Sequence, residues 1–327
     1  MVNVAINGFG RIGRQAFQHA LKDKKIKIVA INDLTDNNTL AYLLKYDSVY
    51  GRFDGKVTST KDSLTVNGKK IPSFSEKDPE KLPWKKYKVN VVLECTGFFT
   101  DREGASKHLK AGARKVVISA PGKNSDITIA MGVNEKKYDK NKHNIISNAS
   151  CTTNALAPLV KVLNDKLGII KGLMITTHSY TSSQNLVDGP HKKLRRGRAA
   201  AQNIVPTTTG AAIAVTETIP ELKGKLNGFA LRVPTLCGSI VTLYAHVKKK
   251  TSIQEVNNFF KTESKKMKGI LKYSEDELVS SDIIRDCHSS IYDSFLTDVI
   301  DDLVVVSGWY DNEWGYSHRL IDLAKIV

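Results

Sequence analysis

Cysteine, long apolar runs and clusters of metal-binding side chains are all scarce in this chain of 327 residues. Its four cysteines lie far apart and its eight histidines are scattered, so neither a disulfide framework nor a metal site is predicted. No apolar run approaches the roughly 20 residues of a bilayer-spanning helix. The amino terminus starts as a strand and lacks the basic start and cleavage site of a signal peptide. We therefore expect a folded, cytoplasmic protein.

Acidic residues are also few. The chain has 33 Asp and Glu residues and 49 Lys and Arg residues, which gives a net charge of +16. Such a balance can indicate a polyanion partner. The basic residues are mostly lysines in short groups spread over the whole length, a pattern typical of a solvated surface. RNA- and DNA-binding motifs are absent, so no dedicated nucleic-acid or membrane partner is expected. The denser run at residues 192–198 could hold an anionic substrate.

The first half of the chain alternates apolar, β-branched runs with helical patterns. Strands are predicted at residues 2–7, 27–33, 89–96, 116–119 and 127–131, and helices at 11–22, 37–44 and 102–111. Continuous apolar strands with intervening helices are typical of a mostly parallel sheet that is covered on both faces. We predict an α/β, doubly wound (Rossmann) NAD-binding domain over residues 1–149.

The pattern changes after a helix predicted at residues 152–167. Strands at 172–180, 227–233, 239–247 and 302–310 follow at long intervals, and Thr251 with Gln254 suggests a capping box that opens another helix. These features predict an α+β catalytic domain over residues 150–312, built on a largely antiparallel sheet. Residues 313–327, which end in a short amphipathic helix at 318–327, are expected to join the first domain.

A glycine motif directly follows the first strand. Gly8, Gly10 and Gly13 form a G-x-G-x-x-G sequence between a strand and a helix, where glycines let backbone N–H groups approach a pyrophosphate. Asp33 ends the second predicted strand, 20 residues after Gly13. A carboxylate at this point accepts hydrogen bonds from ribose hydroxyls and repels a 2′-phosphate. The motif therefore predicts NAD rather than NADP.

Cys151 stands at the junction between an apolar run and a helical pattern. The unpaired N–H groups and the positive dipole end of a helix favour a thiolate over a thiol, so Cys151 is the candidate nucleophile. His178 ends a predicted strand, and an imidazole near a cysteine can stabilise the thiolate and then serve as base and acid. An inert buried cysteine and a structural histidine are the simpler interpretations of each residue alone.

Several groups suited to anions recur in the second half. Arginine binds phosphate oxygens as a planar fork, while small hydroxyls and glycine let the backbone come close. A long polar connection at residues 182–206 is a further candidate for ligand or subunit contacts. Together these groups suit a phosphorylated substrate and a second phosphate. They are Ser150, Thr152, Thr181, Arg196, Thr209, Gly210 and Arg232.

The chain resembles the phosphorylating, glycolytic type of glyceraldehyde-3-phosphate dehydrogenase. The resemblance covers essentially the whole length, and the cysteine motif at residues 147–154 is highly specific. The other matching segments are residues 7–14, 178–181, 206–212, 232–235 and 309–317.

This resemblance implies NAD-dependent oxidation and phosphorylation of glyceraldehyde 3-phosphate to 1,3-bisphosphoglycerate. Cys151 would form a thiohemiacetal and then a thioester, with His178 moving protons. The residues named above would form two phosphate sites. It also implies a homotetramer in which the loop at 182–206 contacts a neighbour's cofactor. The implied cofactor contacts are Arg11, Ile12, Asp33, Lys77, Ser119 and Asn312, with Asn312 holding the nicotinamide carboxamide.

Two departures from the family pattern stand out. Lys77 occupies a position where many members have arginine, and Leu236-Cys237-Gly238 replaces the more usual Pro-Asn-Val, a change expected to alter packing near Arg232. Three alternatives remain: an erythrose-4-phosphate dehydrogenase, which shares nearly all these motifs; a cysteine hydrolase, which leaves Asp33 and the glycine motif unexplained; and a polyanion-binding or surface-adhesion protein, which only the net charge suggests.

Overall fold

The computed structural model describes residues 1–327, which divide into two compact units. Unit 1 comprises residues 1–129, 136–149 and 317–327, and unit 2 comprises residues 130–135 and 150–316. Relative to the predicted division, residues 130–135 and 313–316 are grouped with unit 2. None of the helices combines the length and the apolar character that a bilayer-crossing segment requires.

Unit 1 alternates strands and helices in its first and last parts. Its strands are β1 (Val2–Asn7), β2 (Ile26–Asn32), β3 (Tyr46–Asp47), β4 (Gly51–Arg52), β5 (Val57–Thr60), β6 (Ser63–Val66), β7 (Lys69–Phe74), β8 (Val91–Glu94), β9 (Lys115–Ile118), β10 (Ile127–Thr128) and β11 (Ile145–Ser147). Its helices are α1 (Arg11–Lys22), α2 (Asn37–Lys45) and α3 (Arg102–Lys110). The helix α1 has the predicted bounds, whereas the strand predicted at 127–131 is only two residues long.

The main sheet of unit 1 has nine strands in the order β10-β11-β9-β8-β1-β2-β7-β6-β5. The pairs from β10 through to β7 are parallel, and β5, β6 and β7 form an antiparallel meander at one edge. Residues from Val4 to Ile6 and from Val91 to Leu93 are fully or almost fully buried, as expected for central parallel strands. The predicted doubly wound α/β architecture is confirmed, and the meander is an addition to it.

Unit 2 contains longer strands and helices. They are α4 (Cys151–Leu167), β12 (Ile169–Ser179), β13 (Val205–Thr208), α5 (Ala211–Thr218), β14 (Leu226–Val233), β15 (Ser239–Val247), α6 (Ile253–Lys266), β16 (Leu271–Ser274), β17 (Ser290–Ile300) and β18 (Leu303–Tyr310). A last helix, α7 (Trp314–Ile326), begins four residues before the predicted one. The capping prediction for α6 was wrong by one residue, because Ser252 is the N-cap and accepts a hydrogen bond from the backbone N–H of Glu255.

The sheet of unit 2 has seven strands in the order β13-β14-β12-β15-β18-β17-β16. Most pairs are antiparallel, as predicted, but β12 pairs with β14 and β16 pairs with β17 in parallel. The parallel register places His178 of β12 directly beside Arg232 of β14. This pairing brings together two side chains that are 54 residues apart in sequence.

The helix α4 lies at the centre of the unit 2 core. The apolar residues that predicted this helix, among them Leu156, Leu159 and Val160, are fully buried. They pack with Val241 and Val306 of the sheet in one apolar cluster. Burying several such side chains contributes about 1.5–3 kcal/mol each. The amino end of α4, which carries Cys151, is therefore held in place by the best-packed part of the unit.

Candidate functional site

The glycine motif forms a tight turn between β1 and α1. Gly8 has a φ of +91°, and a Cβ atom there would lie 2.7 Å from the backbone nitrogen of Thr96. A Cβ atom on Gly13 would lie 2.1 Å from the carbonyl oxygen of Gly8. Gly10, in contrast, faces open space, with no atom within 4 Å of its Cβ position. The first and third glycines therefore allow the turn to close, and the second leaves its backbone accessible to a ligand.

The amino end of α1 lies at this turn. The first backbone bond of the helix runs from the N–H of Arg14 to the carbonyl of Gly10, so the N–H groups of the first helical residues point out of the helix end. The side chain of Arg11 lies elsewhere, with its Nη1 2.6 Å from a carboxylate oxygen of Asp47. The positive amino end of a helix is suited to a phosphate.

A pocket of about 560 Å³ opens beside the turn, entirely within unit 1. It brings together Gly8, Gly10, Asp33 and Lys77 of the predicted cofactor residues. Arg11, Ile12, Gly13 and Ser119 are not among its lining residues. The remaining lining residues, which the sequence did not single out, are Asn7, Asn32, Leu34, Glu76, Cys95, Thr96, Phe98 and Phe99.

The carboxylate of Asp33 is held in a fixed orientation at this pocket. One oxygen accepts a hydrogen bond of 2.7 Å from the N–H of Phe9, and the other accepts one of 2.9 Å from the N–H of Thr35. Each carboxylate oxygen has a second lone pair for a ligand hydroxyl. Ser119 follows β9, where its N–H donates to the carbonyl of Glu94 and its side chain bonds to Cys95.

A fully buried polar network lies behind the pocket. The indole N–H of Trp84 donates to His108 Nδ1 at 2.9 Å, and His108 Nε2 lies 3.0 Å from Glu94. Because the indole can only donate, the proton of His108 is on Nε2, where it donates to the carboxylate. Glu94 also accepts from Asn7 Nδ2 at 2.6 Å and from Thr96. The network fixes the two pocket residues Asn7 and Thr96.

Cys151 is the first residue of α4. Ser150 caps the helix, since its hydroxyl accepts a hydrogen bond of 3.0 Å from the N–H of Thr153. The sulfur lies 3.3 Å from His178 Nε2, and the nearby N–H groups of Cys151 and Thr152 and the Thr152 hydroxyl act to lower the pKa of the thiol. The structure therefore brings the predicted nucleophile and the predicted base into contact.

The protonation of this pair differs from the sequence expectation. Burial raises the pKa of the Cys151 thiol, and the nearby charge of Arg232 and the amides of the helix start oppose this only in part. Burial and the charge of Arg232 together lower the pKa of His178 to about 3. The protein alone therefore favours a neutral thiol beside a neutral imidazole at pH 7, because desolvation exceeds the effect of the helix position.

The carbonyl of Ser179 orients the imidazole. His178 Nδ1 lies 2.7 Å from this oxygen, and Arg232 Nη1 donates to the same oxygen at 2.9 Å. The carbonyl can only accept, so it favours the tautomer with the proton on Nδ1, whereas Arg232 Nη1, 2.8 Å from the same nitrogen, can only donate and favours the proton on Nε2. The ring of Tyr310 packs edge-on against the imidazole, and its hydroxyl bonds to Thr152 at 2.9 Å. In the tautomer that is protonated on Nδ1, the lone pair of Nε2 faces the sulfur and can accept the thiol proton.

The two arginines predicted for anions have different surroundings. Arg196 donates from Nε to the hydroxyl of Thr207 at 2.9 Å, from Nη1 to Ser183 at 3.2 Å and from Nη2 to the carbonyl of Thr208 at 3.3 Å. Arg232 lies against His178, and its buried Nε has no hydrogen-bond partner. An unpaired guanidinium N–H beside the reactive sulfur is suited to an anionic oxygen.

The small polar groups lie around these arginines. The Thr181 hydroxyl bonds to Ser183 at 2.9 Å, which links it to Arg196. Thr209 accepts from the N–H of Ala211 at the start of α5, whose N-cap is Gly210. Thr207 belongs to the polar run Thr207-Thr208-Thr209-Gly210, which the sequence already suggested for anions, whereas Ser183 had no predicted role. Both side chains contact Arg196.

Asn312 follows β18 in unit 2. Its Oδ1 accepts hydrogen bonds from the hydroxyls of Ser179 and Ser239, both at 3.0 Å, and from the N–H of Gly238 at 3.1 Å. Cys237 donates from its thiol to Asp311 at 3.2 Å. The unusual Leu236-Cys237-Gly238 segment therefore contacts Asp311 and Asn312. From the sequence we expected it to alter the packing near Arg232.

Comparison with known proteins gives a consistent result. Residues 2–102 match the family model described as the NAD binding domain of glyceraldehyde 3-phosphate dehydrogenase, and residues 150–312 match its C-terminal domain. Glyceraldehyde-3-phosphate dehydrogenase of Geobacillus stearothermophilus is 57% identical over 328 residues, covering 100% of this chain and 98% of the relative. The Bacillus subtilis enzyme 1 and the Mycobacterium avium enzyme are 55% and 54% identical, with the same coverage.

Proposed function

Because the chain belongs to the glyceraldehyde-3-phosphate dehydrogenase family and is an NAD-dependent oxidoreductase, we propose that Cys151 and His178 carry its reaction. That reaction oxidises and phosphorylates glyceraldehyde 3-phosphate to 1,3-bisphosphoglycerate. The observation that carries the assignment is the 3.3 Å contact between the Cys151 sulfur and His178 Nε2 at the start of α4. A nucleophile and a base within hydrogen-bond distance are the basic requirement of covalent catalysis.

The protein's own groups account for the proton movements. His178 Nε2 accepts the thiol proton while the sulfur attacks the aldehyde carbon, and it returns that proton to the oxygen of the resulting thiohemiacetal. Bound NAD supplies the acceptor for the substrate hydride. His178 Nε2 takes the hydroxyl proton as the thiohemiacetal becomes a thioester on Cys151. An oxygen of hydrogen phosphate then attacks the thioester carbon and the carbon–sulfur bond breaks, which releases the acyl phosphate. The Cys151 thiolate takes back the proton held by His178, and the proton of the attacking phosphate passes to solvent.

The residues of unit 1 fit NAD by several independent features. The open space at Gly10, the positive amino end of α1 and the adjoining pocket of about 560 Å³ suit a pyrophosphate and its nucleoside. Asp33 would accept the ribose hydroxyls and repel a 2′-phosphate. Lys77 lies in the same pocket. We propose Arg11 and Ile12 as backbone contacts, Ser119 as a contact near Cys95, and Asn312 as the partner of the nicotinamide carboxamide.

Two anion sites are proposed for the substrate phosphate and for inorganic phosphate. Arg196 with Thr181 would form one, and Arg232 the other. The buried, unpaired Nε of Arg232 and its position beside His178 support this role. The members of the two sites that complete the proposal are Ser150, Thr152, Thr209 and Gly210.

The test is formation of NADH from glyceraldehyde 3-phosphate, followed at 340 nm with and without inorganic phosphate. We expect multiple turnovers only with phosphate, and loss of turnover with retained NAD binding in Cys151→Ser. Cys287→Ser, at a partly buried cysteine outside the proposed site, is the matched control. Substantial activity in Cys151→Ser would refute the assignment of Cys151 as the nucleophile. A preference for erythrose 4-phosphate without a phosphate requirement would show that erythrose 4-phosphate, and not glyceraldehyde 3-phosphate, is the substrate.

We propose that the chain forms a homotetramer and that the exposed face of the unit 2 sheet contributes one of its interfaces. Leu173 of β12 pairs in register with Tyr244 of β15, and Phe229 lies on the adjoining strand β14; these side chains are 43%, 37% and 38% exposed. Apolar side chains on neighbouring strands form a contiguous patch that suits contact with a second copy. In analytical ultracentrifugation, Leu173→Asp should reduce the molecular mass of the assembly. The control Ile253→Asp, on α6, should leave this mass unchanged.

The loop at residues 182–206 is proposed to contact a neighbour in the same assembly. It exposes four large apolar side chains, those of Leu186, Val187, Leu194 and Ile204. Glycolytic substrates and NAD are cytoplasmic, so we also propose a cytoplasmic location. Cell fractionation that recovers the chain with membranes or in the medium would contradict it.

A further inference from the structure

Three nitrogen and oxygen donors converge on one atom of Asn312, and the Cys237 thiol adds a fourth, weaker donor at 3.7 Å. The hydroxyls of Ser179 and Ser239 and the N–H of Gly238 all lie within 3.1 Å of its Oδ1. Both serines are almost completely buried, and Asn312 is 5% exposed. Hydroxyl groups can donate or accept, but a backbone N–H can only donate. The atom that faces Gly238 must therefore be the amide oxygen.

This arrangement fixes which end of the amide is offered to a ligand. Rotating the side chain by 180° would place the Nδ2 hydrogens against the N–H of Gly238 and remove three acceptor contacts. Losing these bonds in a buried site is unfavourable, because the donors are left without an acceptor. The Nδ2 group makes no hydrogen bond to the protein. Asn312 thus presents N–H donors, and it selects a partner with a carbonyl acceptor.

The turn before β15 has the geometry that this requires. Gly238 has a φ of +90°, and a Cβ atom there would lie 2.4 Å from the carbonyl oxygen of Ser280, so a larger residue is disfavoured. Cys237 anchors the adjacent Asp311, which also accepts from the N–H of Arg285 at 2.8 Å. The segment that departs from the family pattern is therefore a support for Asn312.

We propose that Ser179 and Ser239, with the N–H of Gly238, are positioning residues that lock Asn312 as a hydrogen-bond donor to the carboxamide oxygen of nicotinamide. The inference rests on the proposed role of Asn312 in NAD binding and adds the direction of the bond. A locked donor recognises the ring by its carbonyl oxygen and not by its amide N–H₂. The two serines act through Asn312 and do not themselves touch the cofactor.

The test compares two dinucleotides by calorimetry. In 3-acetylpyridine adenine dinucleotide the carboxamide is replaced by an acetyl group, which keeps the carbonyl acceptor and lacks the N–H₂ donor. The ratio of its Kd to that of NAD is measured in the wild-type protein and in Ser179→Ala/Ser239→Ala. With both hydroxyls removed, only the N–H of Gly238 and the thiol of Cys237 still favour the amide oxygen, so a larger fraction of Asn312 is rotated. The rotated side chain accepts from the carboxamide of NAD but gains nothing from the analogue. We expect the ratio to rise by roughly fivefold.

The control variant is Thr242→Val. It removes a partly buried hydroxyl from β15, the strand that also carries Ser239, and this hydroxyl bonds to Ser307 at 2.9 Å. It should leave the ratio unchanged. An unchanged ratio in the serine double variant, or equal weakening of both dinucleotides, would overturn the positioning role. Failure of the proposed function would instead appear as absence of NAD binding in the wild-type protein, so the two failures are distinguishable.

A second readout follows the face of hydride transfer. Substrate deuterated at the aldehyde carbon labels one face of the reduced nicotinamide, and NMR reports which. The wild-type protein should label a single face. The serine double variant should give a detectable fraction of label on the other face, because a nicotinamide ring that is held less firmly can rotate by 180° and present that face to the substrate. Strict labelling of one face in the double variant counts against the inference.

Discussion

Replacing Arg232 should raise the pKa of His178. The guanidinium Nη1 lies 2.8 Å from His178 Nδ1, and its charge is the second cause, after burial, of the fall of the pKa to about 3. Two unit charges about 4 Å apart repel by roughly 4 kcal/mol at an effective dielectric constant of about 20, which is an upper bound of about three pKa units. Because burial remains after the substitution, we expect Arg232→Met to raise the pKa by about one to two units.

The assay is NMR titration of the imidazole resonances, with the His178 signal assigned by its loss in His178→Asn. Arg232→Lys, which keeps a positive charge, should raise the pKa less than Arg232→Met. Inorganic phosphate should raise it in the wild-type protein, because a bound anion offsets the guanidinium, and should have little effect in Arg232→Met. Equal pKa values in the wild-type protein and Arg232→Met would refute the electrostatic reasoning.

The remaining predictions concern single side chains. His178→Asn should slow alkylation of Cys151 near neutral pH, because the sulfur loses its proton acceptor; an unchanged rate profile would argue against the contact. Asp33→Gly should lower the preference for NAD over NADP by about tenfold in kcat/KM, since the repulsion between the half-buried carboxylate and the 2′-phosphate is removed; constant selectivity would identify another group as the discriminator. Trp84→Phe should lower the free energy of unfolding by about 1–3 kcal/mol, because His108 Nδ1 loses its donor, and an unaltered denaturant midpoint would contradict this.

The parts of the fold that could be predicted have strong local signals. The helix α1 has the predicted bounds, because the glycine turn and the buried face of Ala16, Phe17 and Ala20 together define it. The meander β5–β7 was missed, since its short strands are partly polar and exposed. Asn67-Gly68, with φ values of +51° and +77°, is a hairpin turn and was the available signal.

The candidate site residues that could be predicted are reactive or charged side chains at the start of a helix or the end of a strand. Cys151 could be selected because it lies at the start of a helix, and Asp33 because it lies at the end of a strand. The contact of His178 with Arg232 depends on the parallel register of β12 with β14, which sequence spacing does not encode. Ser239 and Gly238 had no local signal, because their role comes from a residue more than 70 positions away.

The error about the thiolate has a clear physical origin. Position at a helix start is visible in a sequence, and it lowers the pKa of a thiol. Burial is a tertiary property, and here it raises the pKa of Cys151 and lowers that of His178. The proton therefore stays on the sulfur until something changes the local charge.

The register of β12 and β14 gives a reason why that change should come from the substrate. Arg232 is a proposed anion site, and it also suppresses the positive charge of His178. An anion bound to the guanidinium offsets its field at both members of the pair, so it raises the pKa of His178 and also the pKa of the Cys151 thiol. The effect on His178 is the larger one, because the guanidinium contacts the imidazole at Nδ1 whereas the sulfur faces Nε2 on the other side of the ring. It follows that phosphate should accelerate alkylation of Cys151 in the wild-type protein and not in Arg232→Met, and slower alkylation with phosphate would show that the effect on the thiol is the larger.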